Sequence, residues 1–99
     1  AWIRYMAKVK PWKPAQLATR VFHVDALNYS EEKRAEILAE KLQNFFETLN
    51  LKTTLHDLTI DETYFEEMAD RATKEGTQTV GHYVPLDRKK IIDILKLAL

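Results

Sequence analysis

Three histidines, His23, His56 and His82, are the residues best suited to ligate a metal or carry a proton near neutral pH. Metal sites are usually assembled from close pairs plus distant ligands, and no two of these histidines stand four apart on one helical face. No His-Glu-x-x-His motif occurs. Their scatter reads as surface or interface residues. His82, beside Gly81 in an irregular stretch, is the one best placed to contact something else.

The carboxylates Glu66, Glu67 and Asp70 fall on one side of a predicted helix. Acid–base catalysis needs two carboxyls in a shared cleft with separated pKa values. A solvated acidic face explains this trio better. Gly76 and Gly81 follow no predicted strand, so they do not make a phosphate loop. The only serine, Ser30, is positioned as a helix cap. Basic residues gather at Lys8, Lys10 and Lys13 around Trp12, and again at Arg88, Lys89 and Lys90. Aromatic and basic interleaving can bind nucleic acid. Here 15 basic residues are balanced by 15 acidic ones, which gives no general attraction to a polyanion. Arg88 to Lys90 also fall at a helix N-terminus, where the dipole disfavours cations unless acids pair with them.

The elements that must position these residues are helical. Two glycines and three prolines are too few turn residues for a many-stranded protein. A first helix is expected over residues 2–10, with Trp2, Ile3, Tyr5, Met6 and Val9 apolar and Pro11 as its stop. A second covers 14–23, with Pro14 in its first turn and a stripe of Leu17, Ala18, Val21, Phe22 and Val24. The third is the clearest. Ser30 caps it, Glu31 and Glu32 complement the dipole, and Ala35, Leu38, Leu42, Phe45 and Leu49 repeat at helical spacing, flanked by Ile37 and Phe46. Asn50 suits the left-handed residue beyond its end. Thr54 and Asp57 mark a single turn over 55–58. Asp61 caps a helix over 62–74 with Tyr64, Phe65, Met68 and Ala72 inward and Gly76 as terminator. Residues 77–86 are irregular and extended around Tyr83-Val84-Pro85. Asp87 caps the last helix, 88–98, with Ile91, Ile94, Leu95 and Ala98 inward and Ile92 and Leu97 flanking.

The expected fold class is therefore all-α: a compact bundle of about five helices plus a short helical turn, in one domain spanning 1–99. Cysteine is absent, which excludes disulfides and thiolate metal sites and agrees with a cytoplasmic location. No apolar run reaches the ~20 residues of a membrane span. The chain opens at Ala1 with a helical pattern and no cap before it, so the expectation is a piece cut from a longer polypeptide.

Several strings resemble the iron-containing alcohol dehydrogenases. Ala1-Trp2-Ile3-Arg4-Tyr5 is similar to the Pro-Ala-Trp-Met-Arg-Tyr segment of butanol-dehydrogenase-like members. Ala18-Thr19-Arg20-Val21-Phe22 resembles Ala-x-Arg-Val-Trp, and Phe45-Phe46-Glu47-Thr48-Leu49-Asn50-Leu51 resembles Phe-Phe-x-x-Leu-Gly-Leu. Thr54-Leu55-His56-Asp57-Leu58 and Ile60-Asp61 follow in the family's order. Gly81-His82-Tyr83-Val84-Pro85-Leu86 resembles Gly-x-Phe-x-Pro-Leu, and a helix ending in Leu-Ala-Leu closes the chain. Together the strings span its whole length. Asn50 replaces a family glycine and is the next-best residue for a left-handed position.

The resemblance implies part of a dehydroquinate-synthase-like C-terminal helical domain. It implies a parent enzyme that interconverts alcohols and aldehydes with NAD(P)H, using iron or zinc held by one Asp and three His. Those ligands and the cofactor-binding glycines match no position here, so no catalytic, cofactor-binding or metal-ligating residue is assigned within residues 1–99. The fragment is expected to be a structural lobe, inactive alone, whose partner is the missing N-terminal nucleotide-binding domain. A homo-oligomer is compatible with this; a nucleic acid or membrane partner is not expected. A severed interface should leave Trp2, Ile3, Tyr5 and Met6 exposed. The rival expectation is a free-standing helical protein-interaction module.

Overall fold

A computed structural model describes all residues, 1–99. It contains five α-helices and two short 3-10 turns. The helices are α1 (Trp2–Val9), α2 (Trp12–Phe22), α3 (Glu31–Thr48), α4 (Phe65–Ala72) and α5 (Arg88–Leu97). The turns cover His56–Leu58 and Glu62–Tyr64. There are no strands beyond a single antiparallel bridge between Val80 and Leu86. The chain divides into two compact units, Ala1–Thr53 and Thr54–Leu99.

In the first unit, α3 packs against both α1 and α2. α2 begins at Trp12, two residues before the expected start. Pro11 sits at its N-cap, and Pro14 falls where the backbone N–H has no intrahelical partner anyway. Ser30 caps α3 by accepting a hydrogen bond from the Lys33 N–H at 3.2 Å. The far end of α3 closes at Asn50, which is left-handed with φ 61°. The Leu51 N–H reaches the Phe46 carbonyl at 3.0 Å and the Asn50 N–H reaches that of Glu47 at 3.0 Å, a Schellman closure. The buried centre joins Ala18, Val24 and Leu38, with Ile3, Phe22, Ile37 and Leu42 packed around it.

The second unit buries Phe65, Ala69, Thr73 and Leu86. Asp61 and Asp87 cap as expected, accepting from the Thr63 and Lys90 N–H groups at 2.9 Å each. The Thr54 hydroxyl accepts from the Asp57 N–H at 3.2 Å. Three expectations are corrected here. The helix expected over 62–74 starts with a 3-10 turn and its α portion stops at Ala72. The Thr73 hydroxyl donates back to the Ala69 carbonyl at 2.7 Å and accepts from the Gly76 N–H, which ends the helix early. The terminator is then three successive left-handed residues, Lys74, Glu75 and Gly76, rather than Gly76 alone. Residues 82–84 bend rather than extend, because paired hydrogen bonds of 2.8 and 2.9 Å between Val80 and Leu86 force the intervening five residues to turn back.

The core also differs from the periodic stripes. Leu17, Val21, Phe45, Leu49, Tyr64 and Met68 are exposed, whereas Ala7, Ala15, Ala35, Ala39 and Ala69 are buried. The buried seams pair these small residues with a few large ones, Met6, Leu38 and Phe65. Of the four residues expected at a severed interface, Trp2 is 41% exposed, Ile3 and Tyr5 are half-buried, and Met6 is fully buried. Met6 is thus core, not interface.

Candidate functional site

The three histidines are not brought together. His23 ends α2 in the left-handed conformation, φ 57°, while the next N–H, that of Val24, reaches the Ala18 carbonyl at 3.2 Å. Its role is that of a helix cap. His56 lies exposed in the first 3-10 turn, and its charge is the smallest of several causes that hold the Asp61 carboxyl below its usual value. The leading causes there are the Thr63 hydroxyl and N–H. His82 is exposed in the bridge-closed loop, where Gly81 supplies a backbone of φ +87°. No three His, Asp or Glu side chains gather closely enough to hold a metal ion.

The acidic trio is engaged by arginines. The Arg88 Nε donates to Asp70, and its Nη2 lies 4.0 Å from Glu66. The Arg71 Nη2 donates to Glu67 at 2.7 Å. The hydrogen bond that Arg88 donates to Asp70 raises the Arg88 pKa above its ordinary value. Arg88 thus offsets its unfavourable place at the head of α5 by pairing across to α4. Lys89 does the same within α5, 3.0 Å from Asp93. These pairs are exposed enough to contribute little to stability. Each carboxylate of the trio therefore sits beside an arginine at the surface. In the other basic group, the Lys13 Nζ lies 5.3 Å from the Trp12 ring centre, a contact within the chain itself.

The best-formed concavity lies in the first unit, where α1, α3 and the segment after α3 frame a groove of about 330 Å³. Ile3, Ala39, Leu42, Phe46 and Leu51 give it an apolar floor. The Schellman closure at Asn50 sets Leu51 beside Phe46, so a local backbone feature builds part of that floor. One lip is polar. The Arg4 Nη2 donates to the Gln43 Oε1 at 3.0 Å. The Gln43 Nε2 donates to the Thr53 Oγ1 at 3.3 Å and to the Glu47 Oε1 at 3.4 Å. The Thr53 hydroxyl donates to Glu47 at 3.0 Å. This network ties the three segments together and holds the Arg4 guanidinium at the rim. The groove thus combines an apolar floor with a hydrogen-bonded polar lip.

Sequence reasoning did not find the groove. Arg4 and Gln43 are 39 residues apart, and nothing in either neighbourhood signals the other. The one available hint was Gln43 four residues before Glu47, a helical side-chain pair.

Comparison with known proteins adds the family. Residues 1–99 match the model of the "Fe-containing alcohol dehydrogenase family, C-terminal". Over 98 residues the chain is 31% identical to the "Probable NADH-dependent butanol dehydrogenase 1" of Bacillus subtilis (strain 168). That alignment covers 99% of this chain but 25% of the relative. The chain therefore spans about a quarter of the length of the curated relative it matches.

Proposed function

The chain belongs to the Fe-containing alcohol dehydrogenase family, as a C-terminal part of it, and on that premise we propose that residues 1–99 are the distal helical lobe of an enzyme that interconverts alcohols and aldehydes with NAD(P)H. The observation that carries this reading is the full-length match to a C-terminal family model, combined with coverage of only a quarter of a butanol dehydrogenase. The lobe's role is structural: it buttresses the metal-bearing part and helps wall the active-site cleft. Its partner is the N-terminal nucleotide-binding domain of the parent. Such an enzyme works in the cytoplasm, and no helix here is long and apolar enough to cross a membrane.

The family implies iron. The residues of this chain do not fit that group, because its histidines and carboxylates form no cluster of three, and the acidic trio is engaged by Arg88 and Arg71. The resemblance to the family places the metal ligands and nicotinamide contacts in the parent polypeptide outside residues 1–99, and our reading keeps them there. What these residues contribute is shape: an ordered α3, two helices packed on it, and exposed apolar surface for docking. The loop carrying His82 and Tyr83 is a second place of contact with the rest of the enzyme.

The test compares two proteins. The parent enzyme should oxidise NADH with butyraldehyde in the presence of ferrous or zinc ion. The isolated 99 residues, verified as helical by circular dichroism, should not turn over under the same conditions. Sustained turnover by the isolated chain overturns the assignment, as does a parent that reduces no short aldehyde.

A further inference from the structure

The groove between α1 and α3 is built to be covered. Its floor includes Phe46 and Leu51, which are 40% and 52% exposed, and large apolar side chains grouped in a concavity mark a contact surface. Its lip is already ordered. The Arg4–Gln43–Thr53–Glu47 network fixes four polar side chains before anything arrives, which lowers the entropy cost of binding. Arg4 still has guanidinium donors not used by Gln43, suited to a carbonyl or carboxylate entering along the rim.

We propose that this groove seats an apolar segment of the parent's own upstream polypeptide, with Arg4 bonding that segment's backbone carbonyls or a carboxylate beside its apolar residues. The inference rests on the reading that residues 1–99 are the C-terminal part of a longer enzyme. The chain aligns with only a quarter of its relative, so in that reading most of the polypeptide lies upstream and joins at Ala1. Ala1 itself lines the groove. A segment tethered at the lip is present at an effective concentration on the order of millimolar. A second copy of the chain lacks that tether. The geometry thus selects the tethered occupant.

The test uses the parent enzyme. The 99 residues contain no cysteine, so single cysteines can be placed cleanly within them. Phe46→Cys and Leu51→Cys probe the groove, and Lys41→Cys, on the exposed surface of α3, serves as control. Peptide-resolved mass spectrometry follows their labelling by a thiol reagent, with the urea-unfolded parent giving the unprotected rate. The two groove cysteines should label about tenfold or more slowly than the control, because a covered site reacts only through local opening. Rates at Phe46→Cys and Leu51→Cys within about twofold of the control in a parent that still reduces butyraldehyde overturn the groove assignment and leave the enzyme reading intact. Protection that vanishes on dilution identifies a second copy and also overturns it. Arg4→Met should raise labelling at Leu51→Cys, with Arg4→Lys restoring part of the protection; unchanged labelling in Arg4→Met removes Arg4 from the contact.

Discussion

Asn50 shows how one residue sets the end of the longest helix. Its φ of 61° lies where a Cβ normally crowds the following carbonyl, and asparagine tolerates this better than most residues. Relaxing that crowding with Asn50→Gly should leave stability equal or higher. Asn50→Ala should lose about 1 kcal/mol, since alanine has neither glycine's freedom nor asparagine's local hydrogen bonding. Urea unfolding followed by circular dichroism distinguishes the two, and equal losses would show that φ is not what the position selects. Asp61 gives the pH-dependent counterpart. Its carboxyl is held below its ordinary value by the Thr63 hydroxyl and N–H. A depressed folded pKa means that the contribution is full above that value and lost as pH falls through the lower, folded one. The turn over Glu62–Tyr64 should loosen on acidification below about 4, read by amide exchange, and Asp61→Asn should remove that pH dependence.

At the scale of elements, α2 and α3 meet through small side chains. Ala15, Ala18 and Ala35 are completely buried, and the Arg34 Nη1 spans the seam to the Thr19 hydroxyl at 2.9 Å. At these three positions the seam has room only for a methyl group, beside the buried Leu38. Adding three carbons at its centre must therefore push the backbones apart. Ala18→Leu should cost about 1–3 kcal/mol, although leucine is apolar and a good helix former. The complementary change at the exposed Leu17, to Ala, should cost under about 1 kcal/mol, because a surface position loses little packing. A larger loss at Leu17 than at Ala18 would reverse the assignment of buried and exposed faces. Helical spacing had placed Leu17 inward, and the alanine seam is the physical reason that it is not.

For the whole molecule, the distribution of apolar surface is the main clue. Leu27 is 95% exposed, on a turn held by Asp25 accepting the Leu27 N–H at 2.7 Å. Tyr64, Met68 and Leu97 are uncovered in the second unit, and Val21, Phe45 and Leu49 in the first. Exposed large apolar side chains of this number favour association where they adjoin one another. The isolated chain should accordingly associate as its concentration rises, with sedimentation velocity showing mass above the 11.6 kDa monomer. Phe46→Glu should reduce that association, by placing a charge in the groove. A strictly monomeric chain over a hundredfold range, estimated at roughly micromolar to sub-millimolar, would show that the exposed residues carry no drive to associate.

The sequence alone determined what depends on neighbours within about four residues. Its helix count, the caps at Ser30, Asp61 and Asp87 and the left-handed Asn50 were all legible, because each reports a local bond or a local backbone angle. Only the tertiary structure decided which face of each helix is buried and that Arg4, Gln43, Thr53 and Glu47 meet at one lip. Those outcomes depend on residues distant along the chain coming into contact, as Arg4 and Gln43 do across 39 positions. Periodicity states that a helix has an apolar side but not what will lie against it.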